Sequence, residues 1–354
     1  MNYTGNLPWI KNRTILYTRA GSRAYGTHNE ESDYDYKGIC IPPEEYRLGF
    51  LRVFEQTDFK PYENAEATIF DIRKYFKLAA EANPNILELL WTEDEDVVEI
   101  DACGELLRQN RELFLSKKVL HTYRGYAMSQ LKRVETHRRW LLNSPDHQPT
   151  RKEYDIERER GISSEQIAAA LTAIKNKMDS WEIDFGDLEE SSKIYINEQI
   201  QNYLLDINLE QKFRTAGASL GFDNNFIEYL NKEREYKQAL ANFKQYEEWK
   251  KNRNPKRAEI EAKYHYDCKH ANHLIRLMKT CREILTEGKI YVRRPDAEYL
   301  KDVRNGKYTY EEIVAWAKQQ DEDLINVAQK SNLPHQPDKN KLDELCIKLI
   351  KMKG

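Results

Sequence analysis

Five cysteines in 354 residues are few, and none stands close to another. Cys40, Cys103, Cys268, Cys281 and Cys346 are odd in number and scattered, so the sequence indicates neither a disulfide framework nor a zinc site of CxxC type. A reducing, cytoplasmic setting is the expectation. Long apolar runs are also missing. Nothing approaches the roughly 18 residues that a membrane-spanning helix takes, and the opening MNYTGNLPWIKNR lacks the apolar stretch of a secretory signal; a soluble protein with no membrane partner is expected. Charge of one sign is absent as well. Fifty-six Lys and Arg stand against 59 Asp and Glu, so net charge alone does not announce a nucleic-acid binder, and local clustering has to supply any such surface. No GK[ST] ending follows a glycine-rich turn, and there is no GxSxG or HExxH, which argues against a P-loop, a nucleophile elbow and a zinc peptidase. No internal repeat or low-complexity tract is present.

A hydrophobic share of 40% with 32% charged residues describes a charge-rich globular chain long enough for two or three cores. ILYT (15–18), YDYKGICI (34–41) and EATIF (66–70) read as strands. The last runs into DIRKYFKLAAEAN, where Ile72, Tyr75, Phe76, Leu78 and Ala79 share a helical face and Asp71 is placed to cap it. NPNILELLW (83–91) opens a further helix, with Pro84 in its first turn. Beyond about 102 the strand signals fade. A basic helical pattern covers 117–143, a proline-containing loop 143–153, and polar helices 164–250 with a turn at SLGFDN (219–224). NRNPKR (252–257) breaks the run, a helix continues to about 286, and the tail after Pro337 is amphipathic, able to pack on its own chain or on another subunit. The expected fold class is α+β: a small mixed β-sheet domain with flanking helices over 1–105, a large helical domain over 106–290 with a variable insertion at about 154–250, and a C-terminal helical unit and tail over 291–354.

The chemistry concentrates in GSRAYGTHNEESDYDYKGI (21–39). A strand that ends in Gly21-Ser22 and turns into a helix aims backbone N–H groups and a hydroxyl at one point, an arrangement suited to phosphate. Asp33 and Asp35, two apart in a strand pattern, project from one face. A lone DxD is most often a pair of solvated residues. Beside a phosphate-binding turn, however, two carboxylates suit Mg²⁺, which takes one or two of them together with substrate phosphates, and two such ions can serve phosphoryl chemistry.

This ordered string resembles the signature of the DNA polymerase beta-like nucleotidyltransferase superfamily. Within it, the string is similar to the predicted nucleotidyltransferases of bacteria and phages sometimes found beside RNA ligases. FDIRKYFKLAAEANPNILELLW, SKKVLHTYRGYAMSQLKR, KHANHLIRLM and GKIYVRRPDAEYLKDVRNG are similar to later blocks of that branch, and about 154–250 is the part that does not match. The resemblance implies an enzyme of the nucleotidyltransferase class that moves NMP from an NTP to a hydroxyl and releases pyrophosphate. It implies two Mg²⁺ ions held by Asp33, Asp35 and a third carboxylate. Glu66, opening EATIF, is the first candidate and Asp71 the rival, although Asp71 also sits where a helix cap belongs. On the nucleotide side it implies Gly21, Ser22 and Arg23, with Lys269, His273 and Arg276 on a later helix steadying the triphosphate or the acceptor; that helix face reads equally as an ordinary solvated one. The implied acceptor is an RNA, foremost a tRNA 3′ end. Lys117, Lys118, Arg124, Lys132, Arg133, Arg138 and Arg139, interleaved with Tyr123, Tyr126 and Trp140, suit such a partner, while Tyr123, Tyr126, Leu131 and Val134 also fit a core-facing stripe. Nucleotidylation of a protein or small molecule, oligonucleotide-signal synthesis, and a catalytically inactive binding module remain the alternatives. The choice of NTP, the number of nucleotides added and the oligomeric state are not encoded legibly.

Overall fold

Strand-forming residues in the first hundred positions assemble into a five-stranded mixed sheet in the computed structural model, which describes residues 1–156, 163–180, 209–253 and 255–354. The strands are β1 (Thr14–Ala20), β2 (Tyr34–Cys40), β3 (Gln56–Phe59), β4 (Ala65–Asp71) and β5 (Val97–Ile100), in the order β3-β4-β2-β1-β5. The β2–β4 pair is parallel, and β1–β2, β1–β5 and β3–β4 are antiparallel. Central β1 has Ile15, Leu16 and Tyr17 buried, the mark of a strand covered on both faces. The two edge strands escape sequence reading: QTDF and VVEI are four residues each, too short and too polar for an alternation to register.

The fold class is α+β, as expected. Helix α1 (Gly21–Tyr25) follows β1 directly, and α2 (Ile72–Ala80) follows β4. Asp71 caps α2, accepting from the Arg73 and Lys74 amides, while Ile72, Tyr75, Phe76 and Ala79 face the core. NPNILELLW differs from a continuous α-helix. One α-turn (Pro84–Leu87) tightens into a 3₁₀ turn in which Glu88, Leu89, Leu90 and Trp91 are all buried, whereas a surface α-helix would bury one stripe. Next come α3 (Ala102–Gln109) and the long α4 (Val119–Leu142). The later helices of this unit are α8 (Pro255–Tyr264), α9 (Cys268–Glu287), α10 (Ala297–Arg304), α11 (Tyr310–Lys330) and α12 (Lys339–Lys353). Residues 1–142 and 255–354 form one compact unit whose core runs from the sheet through α4, α9, α11 and α12. In the tail, Leu342, Leu345, Cys346 and Leu349 join that core, so α12 packs on its own chain.

The single helix expected from the NRNPKR break (252–257) to about 286 is instead two. His265 takes a left-handed backbone (φ 61°) after α8, and Asp267 recaps the chain for α9. Residues 143–254 form a second compact unit. In it α5 (Ser164–Asp179), α6 (Leu209–Ser219) and α7 (Asn224–Asn252) bury Ile167, Ile174, Phe213, Ile227 and Leu230 against one another. The helical pattern expected over 164–250 falls partly outside the described residues, as does part of TRKEYDIERERG.

Gly104 of α3 lies against the sheet so closely that an added Cβ would stand 2.1 Å from the Ile15 carbonyl oxygen. Gly104→Ala is expected to destabilise the protein by about 1–3 kcal/mol. Gly125→Ala, in α4 with nothing within 4 Å of an added Cβ, should stabilise it by about 0.5–1 kcal/mol. Denaturant unfolding of the two variants checks both signs.

Candidate active site

Strand β1 delivers its last residue, Ala20, opposite Asp35 of β2, and the chain then turns at Gly21 with φ 64°. An added Cβ at Gly21 would lie 2.0 Å from Asp35 Oδ2. Only glycine fits, on grounds of both conformation and space. The Gly21-Ser22 turn and the Asp35 carboxylate are thus in direct contact, and Gly26 ends α1 in the left-handed region (φ 74°).

The parallel register of β2 and β4 sets Asp35 beside Glu66, so the two side chains leave the same face of the sheet. Asp33 stands two residues earlier, at the mouth of β2, and is exposed like Glu66, while Asp35 is half-buried. Burial pushes the Asp35 carboxyl up. The Glu66 and Asp33 charges push the same way, and Lys37 and Lys269 oppose them. Three carboxylates crowded on one face fit a hard, oxygen-seeking cation such as Mg²⁺. Asp71 is elsewhere. It pairs with Cys40 at the far end of β4, an odd number of residues from Glu66 and therefore on the opposite face, and both its capping amides and Arg73 engage it.

Of the three residues singled out on α9, Lys269 comes near enough for its charge to act on Asp35. One turn on, His273 is half-buried and held down to about 3 by burial and then by Arg276, His270, Lys269 and Arg133. Arg276 lies deeper. Its Nη1 donates to Glu88 Oε2 at 3.2 Å and its guanidinium sits 4.0 Å over the Tyr25 ring. Glu88 also accepts from Tyr25 Oη at 2.7 Å and stands 3.9 Å from Lys37 Nζ. Arg23 braces the loop that carries Asp33, donating to the Ser32 carbonyl at 2.7 Å and lying 3.6 Å over the Tyr34 ring.

Sequence reasoning missed Lys37, Glu88 and a cationic group beside α1. Lys37 shares the face of Asp35 by the same two-residue spacing, a signal that was available. Glu88 lay inside a run read only as a helix. Arg293 and Lys301 come from the GKIYVRRPDAEYLKDVRNG block. With Arg23 they act on His28, which burial first and these charges next hold below its ordinary value. The block docks on α1, the Arg294 amide donating to the Tyr25 carbonyl at 3.1 Å. Along α4 the stripe of Tyr123, Leu131 and Val134 is buried, and Tyr126 is exposed. Several basic residues there are engaged within the chain: Arg124 with Asp321, Arg138 with Glu311, and Lys118 with Glu81.

Comparison with known proteins points the same way. Residues 6–154 match the family described as "RlaP: RNA repair pathway DNA polymerase beta family". The chain is 30% identical over 127 residues to an uncharacterized 38.9 kDa protein in the nrdC-mobD intergenic region of Enterobacteria phage T4, a match covering 33% of this chain and 38% of that one. It is 26% identical over 123 residues to the uncharacterized protein YcgL of Bacillus subtilis (strain 168), covering 34% of this chain and 46% of that one. The matches thus span less than half the length of either relative. No solved structure matches the chain.

Without a cation the three carboxylates repel, so Asp35→Asn in metal-free buffer should raise stability by about 1 kcal/mol. Mg²⁺ should raise the Tm of the wild type and leave that of the variant unmoved; thermal melts with and without Mg²⁺ check this. Gly21→Ala should abolish the same Mg²⁺ response by displacing Asp35. The depressed His273 predicts a pH effect as well. The stability that depends on its neutral ring is complete above the ordinary 6.5 and is lost as pH falls toward about 3. His273→Gln should flatten the acid limb of the stability profile in chemical denaturation.

Proposed function

We propose, from the premise that residues 6–154 belong to the RNA repair pathway DNA polymerase beta family, that the protein transfers NMP from an NTP to a hydroxyl, foremost that of an RNA 3′ end. The observation that carries this reading is the placement of Asp35 between Glu66 in register on β4 and Gly21 in the preceding turn. Asp33, Asp35 and Glu66 would hold Mg²⁺, which supplies Lewis acidity at the phosphates when bound. Glu66, exposed on β4 beside Asp35, takes the proton of the attacking hydroxyl. The new bond joins that oxygen to the α-phosphorus, the bond from the α-phosphorus to the bridging oxygen breaks, and pyrophosphate leaves. Ser22 and the amides that follow Gly21 face the triphosphate, and Lys269 with the cationic group of Arg23, Arg293 and Lys301 balances its charge. The Glu88–Arg276–Tyr25 network beneath fixes α1 and α9 relative to the strands.

The internal pairing of Arg124, Arg138 and Lys118 favours a second reading, in which the acceptor is a protein or small molecule and not a long RNA. It takes three of the seven cations of this stretch out of play and leaves Lys117, Lys132, Arg133 and Arg139 as those that could follow a phosphodiester backbone. Incubation with each α-³²P-labelled NTP, Mg²⁺ and total small RNA separates the two. Label should enter RNA with the wild type and fall by at least ~10³-fold with Asp33→Ala/Asp35→Ala. Label on protein, or in a small product resolved by chromatography, selects the second reading. No label in any fraction, with both proteins folded and Mn²⁺ also tried, overturns the enzyme and leaves a binding module.

A further inference from the structure

Away from the strand carboxylates, α4 and the start of α9 bring together His137, Asp267 and His270, one ligand atom from each lying within 4.8 Å of the others. This is the one group of its kind among the described residues. Asp267 is almost wholly buried, and its two oxygens are divided in use. Oδ1 accepts from the His270 amide at 3.0 Å as the N-cap of α9. Oδ2 faces two ring nitrogens, His137 Nδ1 at 3.1 Å and His270 Nε2 at 3.5 Å.

The other nitrogen of His270 decides what this means. Nδ1 lies 2.7 Å from Gln130 Oε1, and an amide oxygen only accepts, so the ring proton sits on Nδ1. In the neutral ring Nε2 then turns its lone pair toward Asp267 Oδ2, as a metal ligand does, whereas an imidazolium would donate a proton there. A metal ion held by both would take the place of that proton. The two edges to Asp267 suit one: four-coordinate zinc with bonds of about 2.0–2.1 Å has ligand-to-ligand edges of roughly 3.3 Å, between the 3.1 and 3.5 Å found here, and the third edge lies within 4.8 Å. Gln130 holding the far nitrogen is the outer-shell partner that metal-bound histidines characteristically have.

We infer that His137 Nδ1, Asp267 Oδ2 and His270 Nε2 supply three ligands of a Zn²⁺ site distinct from the carboxylate site on the sheet. Two nitrogens and one oxygen suit zinc and not Mg²⁺. No sequence spacing announces the site, because His137 and Asp267 are 130 residues apart and only the packing of α4 on α9 joins them. The ion clamps the first turn of α9 to α4, and that turn carries Lys269. The site is a positioning device, and it does not depend on the transfer reaction proposed above.

The test is Zn²⁺ titration calorimetry on the full chain after chelator dialysis, with Co²⁺ substitution followed by visible absorption. The wild type should bind one equivalent of Zn²⁺ and give the d–d bands of a four-coordinate Co²⁺ site. Asp33→Asn/Asp35→Asn should bind equally well, while His137→Asn/His270→Asn should lose the equivalent. If the histidine variant folds poorly, Gln130→Leu keeps all three ligands and should weaken binding by roughly 10–100-fold. The inference is overturned if the wild type takes up no stoichiometric Zn²⁺, if binding survives both the histidine and the glutamine changes, or if the strand-carboxylate variant abolishes it.

Discussion

A buried pair, Glu88 with Arg276, ties the sheet to the helical part of the molecule, and the geometry of the candidate site depends on it. Both side chains are less than one-tenth exposed, and charges so placed persist only when paired and hydrogen-bonded. Glu88 meets that demand by taking Arg276 from α9, the Tyr25 hydroxyl from α1 and the nearby charge of Lys37 from β2. Arg276 adds the face of the Tyr25 ring. Four elements far apart in the chain, from Tyr25 to Arg276, therefore share one electrostatic centre. Removing either partner would leave a desolvated charge, which is why the pair selects one arrangement of α1 against α9 even where its net stabilisation is modest.

That centre sits directly beneath the acidic face. Lys37 is two residues from Asp35 on the same side of β2, and its amine turns down to the Asn85 carbonyl and toward Glu88. Burial holds the Lys37 ammonium below its ordinary value, and the Glu88 and Asp35 charges work the other way. Lys37 thus belongs half to the floor and half to the site. Above it, Gly21 lets the backbone reach Asp35, and Arg23 pins the Ser32–Tyr34 stretch so that Asp33 stays at the mouth of the strand. The carboxylates are held from two directions, by register from the sheet and by the turn from the chain before it.

The basic helices divide between packing and charge. On α4 the buried stripe decides orientation, and three of the cations on or beside it, Arg124, Arg138 and Lys118, find acidic partners on α11 or near α2. The cationic side of the candidate site comes instead from the segment after α9, where Arg293 lies against Gly26 and meets Asp96 and Glu95. Arg294, almost wholly buried, binds Glu283 and Asp296 and anchors that segment. Two adjacent arginines so serve two ends: the second holds the loop, and the first faces the cluster.

Much of this was legible in the chain, and the limits have physical causes. Strands β1, β2 and β4, the capped α2 and the break near 252–257 follow from local periodicity, capping and proline chemistry, which act over a few residues and leave a pattern in sequence. The same-face projection of Asp33 and Asp35 is likewise a two-residue rule. Local rules also favoured Asp71 as a cap, and it is one. They did not reveal that Glu66 stands beside Asp35, because the register of a parallel pair is set by the pairing of whole strands. Nor did they separate Lys269, at the acidic face, from Arg276, in the core, since both occupy one helix side and only the position of Glu88 distinguishes them. His137 and Asp267 meet for the same kind of reason. The sequence by itself determined which elements form and which residues share a face; the tertiary structure alone decided which faces meet, because burial of charge is satisfied by partners distant along the chain.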